Sequence, residues 1–287
     1  MNLRKSCLPA GWYPQTARGV SRFFDGIPRE NPGGAPALAA AAPHAGWHYS
    51  GAIAARAVLS LDREAETVAV IGGHLPGGLS PLIAGEEALE TPLGEMPLDR
   101  DLGAAVFQTL GCKPDRYADN TVEVLAPMVH CLFPGTKLLW LRFPADKSAF
   151  DAGRELARIA KKLGRKLVVL GSTDLTHYGE NYQFAPRGEG EKALAWVREV
   201  NDARFIAAVK SGDPEEILRR AEEDRSACSA GAVLGALGFA RETGAANGEL
   251  LAYGTSADQS PGEVPASFVG YGAFCWRRRA KVRPNIA

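Results

Sequence analysis

Several features that would narrow a function by composition are missing from this chain. Its 33 basic and 33 acidic side chains cancel, so nothing in the net charge draws it to nucleic acid or to an anionic lipid surface. The basic run Arg277-Arg278-Arg279-Ala280-Lys281-Val282-Arg283 has no recognition motif and no interleaved aromatics, and residues 277–287 read as a solvated tail. No stretch approaches the roughly 20 apolar residues of a membrane span. The opening segment MNLRKSCLPAGWYPQ lacks the apolar run of roughly 7–15 residues that a signal peptide needs, so a cytoplasmic protein is expected. Cysteine is scarce and scattered: Cys7, Cys112, Cys131, Cys228 and Cys275 are odd in number and never form a CxxC pair. That pattern argues against a zinc ribbon or a disulfide framework and for reduced thiols. HExxH, GxSxG, GxGxxG and a P-loop lysine are also absent, which argues against the common local metal, hydrolase and nucleotide signatures.

What is present is enough apolar material for a large core, 46% of 287 residues, and a regular alternation of elements. Short apolar runs at Ala37–Ala42, Thr67–Ile71, Lys137–Phe143, Lys166–Leu170, Glu249–Gly254 and Phe268–Cys275 read as buried strands. Spacing near 3.6 marks helices at Ile53–Leu61, Arg100–Leu110, Val122–Phe133, Phe150–Leu163, Glu191–Lys210, Pro214–Glu223 and Ala230–Glu242. Ser50 and Ser148 are candidate N-caps, and Gly111 and Gly164 candidate stops. Strands alternating with helices predict a single α/β domain over residues 1–287, with a mostly parallel central sheet covered by helices on both faces.

The residues able to do chemistry recur at equivalent places. His44 follows the first strand, His74 follows VAVIGG, and Asp174 with His177 follow KLVVLGS. Loops beyond the carboxyl ends of parallel strands converge on one crevice, so these groups are expected to meet there. Each also has a plain alternative: His44 as a histidine satisfying loop backbone, His74 in an ordinary Gly-rich turn, Asp174 as a turn cap. His48, at a helix entrance, reads as structural, and Trp47 and Tyr49 as pocket walls or lids on the helix start. Asp174 beside His177 has the makings of a carboxylate that fixes an imidazole acting as general base or acid. Cys228, at the start of an apolar helix, is the cysteine best placed to be a thiolate nucleophile or soft metal ligand, with burial in the core as its alternative. Cys131, Cys275 and His130 read as core, and Glu123 as a stabiliser of a helix first turn.

Five segments together resemble the Memo-like family, also called AmmeMemoRadiSam system protein B, a relative of the class III extradiol (LigB-type) dioxygenases. They are Pro9-Ala10-Gly11-Trp12-Tyr13-Pro14, Pro43-His44-Ala45-Gly46-Trp47-His48-Tyr49-Ser50-Gly51, Thr91-Pro92-Leu93-Gly94-Glu95-Met96-Pro97-Leu98-Asp99, Ser172-Thr173-Asp174-Leu175-Thr176-His177-Tyr178-Gly179 and Tyr253-Gly254-Thr255-Ser256. The resemblance implies a phosphorylase/hydrolase-like α/β fold and a metal site with His44, His74 and Cys228 as ligands. It places Asp174 and His177 beside that site, with His177 as general base or acid. Fe(II) is the implied metal, with zinc or copper as alternatives that a thiolate ligand also suits. The function so implied is a non-haem iron oxidoreductase acting on a small, dioxygenase-type substrate. A peptide- or partner-binding module using the same pocket is the alternative, and a zinc-dependent hydrolase the third. The family's system name also implies a link to radical-SAM and AMMECR-type proteins. Two positions depart from the family pattern: Gly72-Gly73-His74 is one residue shorter, and Asn120 stands where the family has a histidine.

Overall fold

A computed structural model describes residues 2–28, 34–245, 247–260 and 262–278. Four strands form the middle of the sheet in the order Ala37–Ala42, Leu167–Ser172, Thr67–Gly72 and Lys137–Arg142, all parallel to their neighbours. In the polyalanine strand Ala39 and Ala41 face one core while Ala40 and Ala42 face the other, so both faces are covered and no polar alternation survives in the sequence. The C-terminal segments add antiparallel edges. Ser267–Arg277 pairs antiparallel with the polyalanine strand, with Glu249–Thr255 and, near its start, with His177–Gly179. The connection from Thr255 to Ser267 contains a single short helical turn, Ser256–Gln259, too little for a parallel crossover. On the far side the short Leu82–Ile83 runs antiparallel to Lys137–Arg142. Leu3–Arg4, Ala88–Thr91 and Gly94–Pro97 make a separate small sheet.

One face of the main sheet carries helix Ala230–Glu242, buried along nearly its whole length, beneath helix Ser148–Lys162. Their backbones touch: a Cβ at Gly153 would lie 2.0 Å from the Gly235 carbonyl oxygen, so neither helix can be pried away by even one methyl group. The other face carries Ala52–Ser60, Ala126–Leu132 and the helix Ala17–Asp25.

The predicted elements hold with instructive differences. Val122–Phe133 divides into Asn120–Glu123 and Ala126–Leu132, with Pro127 at the start of the second helix, where its missing N–H costs nothing. Glu191–Lys210 runs as Glu191–Trp196, a wide π turn Val197–Asn201, and Asp202–Ser211. Gly111 and Gly164 adopt left-handed backbone after their helices, as expected of stops. The two serines are not the caps. Ser50 lies inside a π turn, Trp47–Gly51, and its hydroxyl donates to the Ala45 carbonyl. Ser148 is itself held by Asp146, whose carboxylate accepts from its backbone N–H at 2.8 Å. Arg277 is a strand residue, with its Nε 3.2 Å from Glu249; residues 279–287 of the expected tail lie outside the described residues.

Candidate metal centre

The parallel strands deliver the chemical groups to one edge. His44 leaves Ala37–Ala42 two residues beyond its end, His74 leaves Thr67–Gly72 likewise, and Asp174 leaves Leu167–Ser172. Cys228 arrives from elsewhere, two residues before helix Ala230–Glu242. Its segment is zipped to the Asp174 loop: Cys228 N–H donates to the Asp174 carbonyl at 3.2 Å, and Asp174 N–H donates to Cys228 Sγ at 3.3 Å.

The ligand atoms of His44, His74 and Cys228 all lie within 4.8 Å of one another, with His44 Nε2 3.2 Å from Cys228 Sγ and the two imidazole rings edge to face. Donors bound at about 2.0–2.3 Å to a shared ion stand about 3–4 Å apart, so this spacing fits one cation. The other ring nitrogens are engaged. Nδ1 of His44 meets Ser172 Oγ at 2.9 Å and Nδ1 of His74 meets Asp119 Oδ2 at 3.2 Å, which leaves each Nε2 for the centre. Asp174 accepts from the His44 backbone N–H at 2.7 Å, and Asn120 donates to the His44 carbonyl at 3.1 Å.

The electrostatics agree with the geometry. Burial alone pushes the Cys228 thiol up, yet His44 and His74 outweigh it and hold it well below its ordinary range. Burial pushes His44 down, and Cys228 with Asp174 reverse the sign. The Asp119 hydrogen bond and Cys228 raise His74 to about 10, and Asp119 sinks to about 2 against its own burial, chiefly through His74 and Thr121. The anions that retain protons on both imidazoles would equally stabilise a divalent cation in their place, so the donor set fits a metal.

His177 stands beside this cluster, its Nε2 3.7 Å from Asp174 Oδ2, beyond hydrogen-bond distance and with no other partner among the described residues although the atom is buried. Tyr182 packs against the same ring, with centroids 4.9 Å apart. Tyr49 is 49% exposed. Its neighbour Trp47 is instead in the core, packed on Phe23 and donating to the Val124 carbonyl at 2.9 Å. His48 lies edge-on to Tyr49 and belongs to no ligand group. His130, also in a helix, meets Thr91 Oγ1 at 2.8 Å.

Asp119 did not stand out in the sequence, and the main partners of Glu123 were not foreseen. Asp119, adjacent to the conspicuous Asn120, is the partner of His74. Glu123 does stand in the first turn of helix Asn120–Glu123, but its carboxylate is also engaged elsewhere. It is buried, and its carboxylate accepts from the backbone N–H groups of Cys7 and Leu8 and from Tyr13 Oη at 2.9–3.0 Å, pinning the N-terminal segment beside the site.

The fold and cluster together define an α/β protein with a His, His, Cys group at the carboxyl edge of its parallel strands. The description "Memo-like protein" matches residues 4–275, and the chain belongs to that family. A MEMO1 family protein of Methanococcoides burtonii is 34% identical over 244 residues, covering 83% of this chain and 85% of that protein. A second, from Thermococcus kodakarensis, is 28% identical over 294 residues, covering 96% and 100%. A crystal structure of an uncharacterized Escherichia coli K12 protein superposes with a TM-score of 0.47 at 13% identity, over 82% of this chain and 99% of that one.

Proposed function

We propose that this protein holds one non-haem iron through His44, His74 and Cys228 and acts as an oxidoreductase resembling the extradiol dioxygenases. The observation that carries the reading is the convergence of two imidazoles and one cysteine sulfur, each fixed by a partner of its own. Iron(II) held by three such donors supplies redox chemistry with coordination positions left free for other ligands. The chain's own residues do the rest. Ser172 and Asp119 fix the two rings, and the Asp174 backbone N–H donates to the sulfur and steadies its charge. His177, with a buried Nε2 that no described residue satisfies, takes the proton of a substrate hydroxyl, and the Asp174 carboxylate stabilises the imidazolium so formed. Five scattered cysteines with no CxxC pair suit a reducing, cytoplasmic setting.

Metal analysis of protein purified without added metal tests the assignment. About one equivalent of iron is expected, lost in both His44→Ala and Cys228→Ala but retained in His177→Ala, which loses oxygen consumption with a catechol. A wild type that carries no metal and takes up none, yet binds a peptide partner, would replace this reading with that of a binding module. Loss of metal in His177→Ala would move His177 into the ligand set.

A further inference from the structure

We infer that Arg142, on a strand that supplies no ligand, is the positioning residue that sets His74 at the metal centre. This rests on the metal reading above, and it concerns how that site is assembled. His74 has φ +53°, a left-handed conformation that a non-glycine residue adopts only when its surroundings hold it there. The turn cannot brace itself. Gly72 and Gly73 precede His74, and a Cβ on either would collide, at 2.1 Å from Thr121 Oγ1 for Gly72 and 2.3 Å from Ser229 Cβ for Gly73. Support therefore has to come from outside the turn.

Arg142 gives that support from the adjacent strand, where it pairs in register with Gly72. Its Nε donates to the Gly73 carbonyl at 2.9 Å, and its Nη2 donates to the His74 carbonyl at 3.3 Å. The same Nη2 lies 3.3 Å from Asp119 Oδ2, the oxygen that meets His74 Nδ1 at 3.2 Å. One guanidinium thus seats both the backbone that carries the imidazole and the carboxylate that orients it. Its remaining nitrogen, Nη1, faces Asp115 at 3.6 Å. Asp115 is fixed in turn by Trp140 Nε1 at 2.9 Å, and its carbonyl accepts from Arg4 at 2.8 Å. Arg142 is only 5% exposed, so these contacts are little weakened by solvent. The arrangement needs a planar fork. A lysine ammonium carries the same charge but cannot reach two carbonyls and two carboxylates lying along separate edges of one plane.

The experiment measures affinity for Co²⁺ by chelator competition on wild type, Arg142→Lys and Arg142→Gln, with ¹⁵N-histidine spectra of the metal-free proteins alongside. Loss of a partner that orients a ligand typically weakens metal binding about 10–100-fold. A loss in that range is expected for both variants, and the lysine variant should not rescue it despite keeping the charge. In the metal-free spectra both variants should shift the His74 ring signals while those of His44 hold. If Arg142→Lys binds Co²⁺ within threefold of wild type with an unchanged His74 signal, the inference is wrong. If the glutamine variant fails to fold, the lysine variant decides. If wild type binds no Co²⁺, the metal reading fails by itself, and the His74 signal of Arg142→Lys still decides whether Arg142 positions that ring.

Discussion

The most demanding test of the site's construction is Gly73→Ala. An added Cβ would sit 2.3 Å from both Cβ and Oγ of Ser229 and 3.0 Å from its Cα. Carbon atoms rest about 3.5–4.0 Å apart, so the two chains must separate by about 1.2 Å or more. Neither side gives way cheaply. Ser229 is buried and its N–H donates to Thr173 Oγ1 at 3.1 Å, and the neighbouring helix is packed backbone to backbone. Overpacking of this kind costs about 1–3 kcal/mol. For a chain of this size that corresponds to a fall in Tm of about 2–5 °C, at about 1.7 °C per kcal/mol. The separation acts directly between His74 on one side and Cys228 on the other, so metal retention should collapse even where the fold survives. Thermal unfolding followed by calorimetry, paired with metal equivalents on the same samples, reads both effects. A Gly73→Ala protein with unchanged Tm and a full complement of metal would show that the turn and the Cys228 segment are not locked together as described.

Two further outcomes follow from buried carboxylates. Glu123→Leu removes the acceptor for two backbone N–H groups and Tyr13 Oη, which should cost about 2–4 kcal/mol in urea unfolding and speed labelling of the Cys7 thiol, now bonded to that carboxylate. Equal stability and equal labelling would refute the anchoring role. Burial raises Asp202 to about 6 despite its bonds from Thr176 and Tyr253. The folded state therefore holds this proton up to about pH 6 while the unfolded chain releases it near pH 4. Stability should fall between pH 4 and 6 and level off above, by about 3 kcal/mol at most. Asp202→Asn should flatten that segment of the pH profile; an unaltered slope would assign it to another group.

Much of the fold was legible because buried parallel strands have an unmistakable apolar texture: Thr67–Gly72 and Leu167–Ser172 carry no surface alternation to confuse them. Helix Ala17–Asp25 was not, since it buries only Val20 and Phe24 amid arginines and takes its place through contact with Trp47. The helix boundary at Ser50 failed because the chain enters helix Ala52–Ser60 through the π turn Trp47–Gly51, which a period of 3.6 cannot express. In the site, the topological rule that gathers strand-end loops was enough to bring His44 and His74 to one place. The residues that hold His74 were hidden, because nothing around Asp119 or Arg142 in the sequence names a partner until distant segments close on them. Asp119 meets His74 across 45 residues and Arg142 meets the Gly73 carbonyl across 69, and no local pattern encodes such meetings.

The backbone contact between helices Ala230–Glu242 and Ser148–Lys162 has a bearing on how an ion would be received. Cys228 is anchored to the head of a rod clamped on both sides, and His44 to a strand end tied by Asp174, Ser172 and Asn120. Both donors are part of the frame. His74 completes the set from a turn pressed against Ser229 and braced by Arg142, so all three donors would stand at their spacing before an ion arrived, and little rearrangement would be needed to receive it.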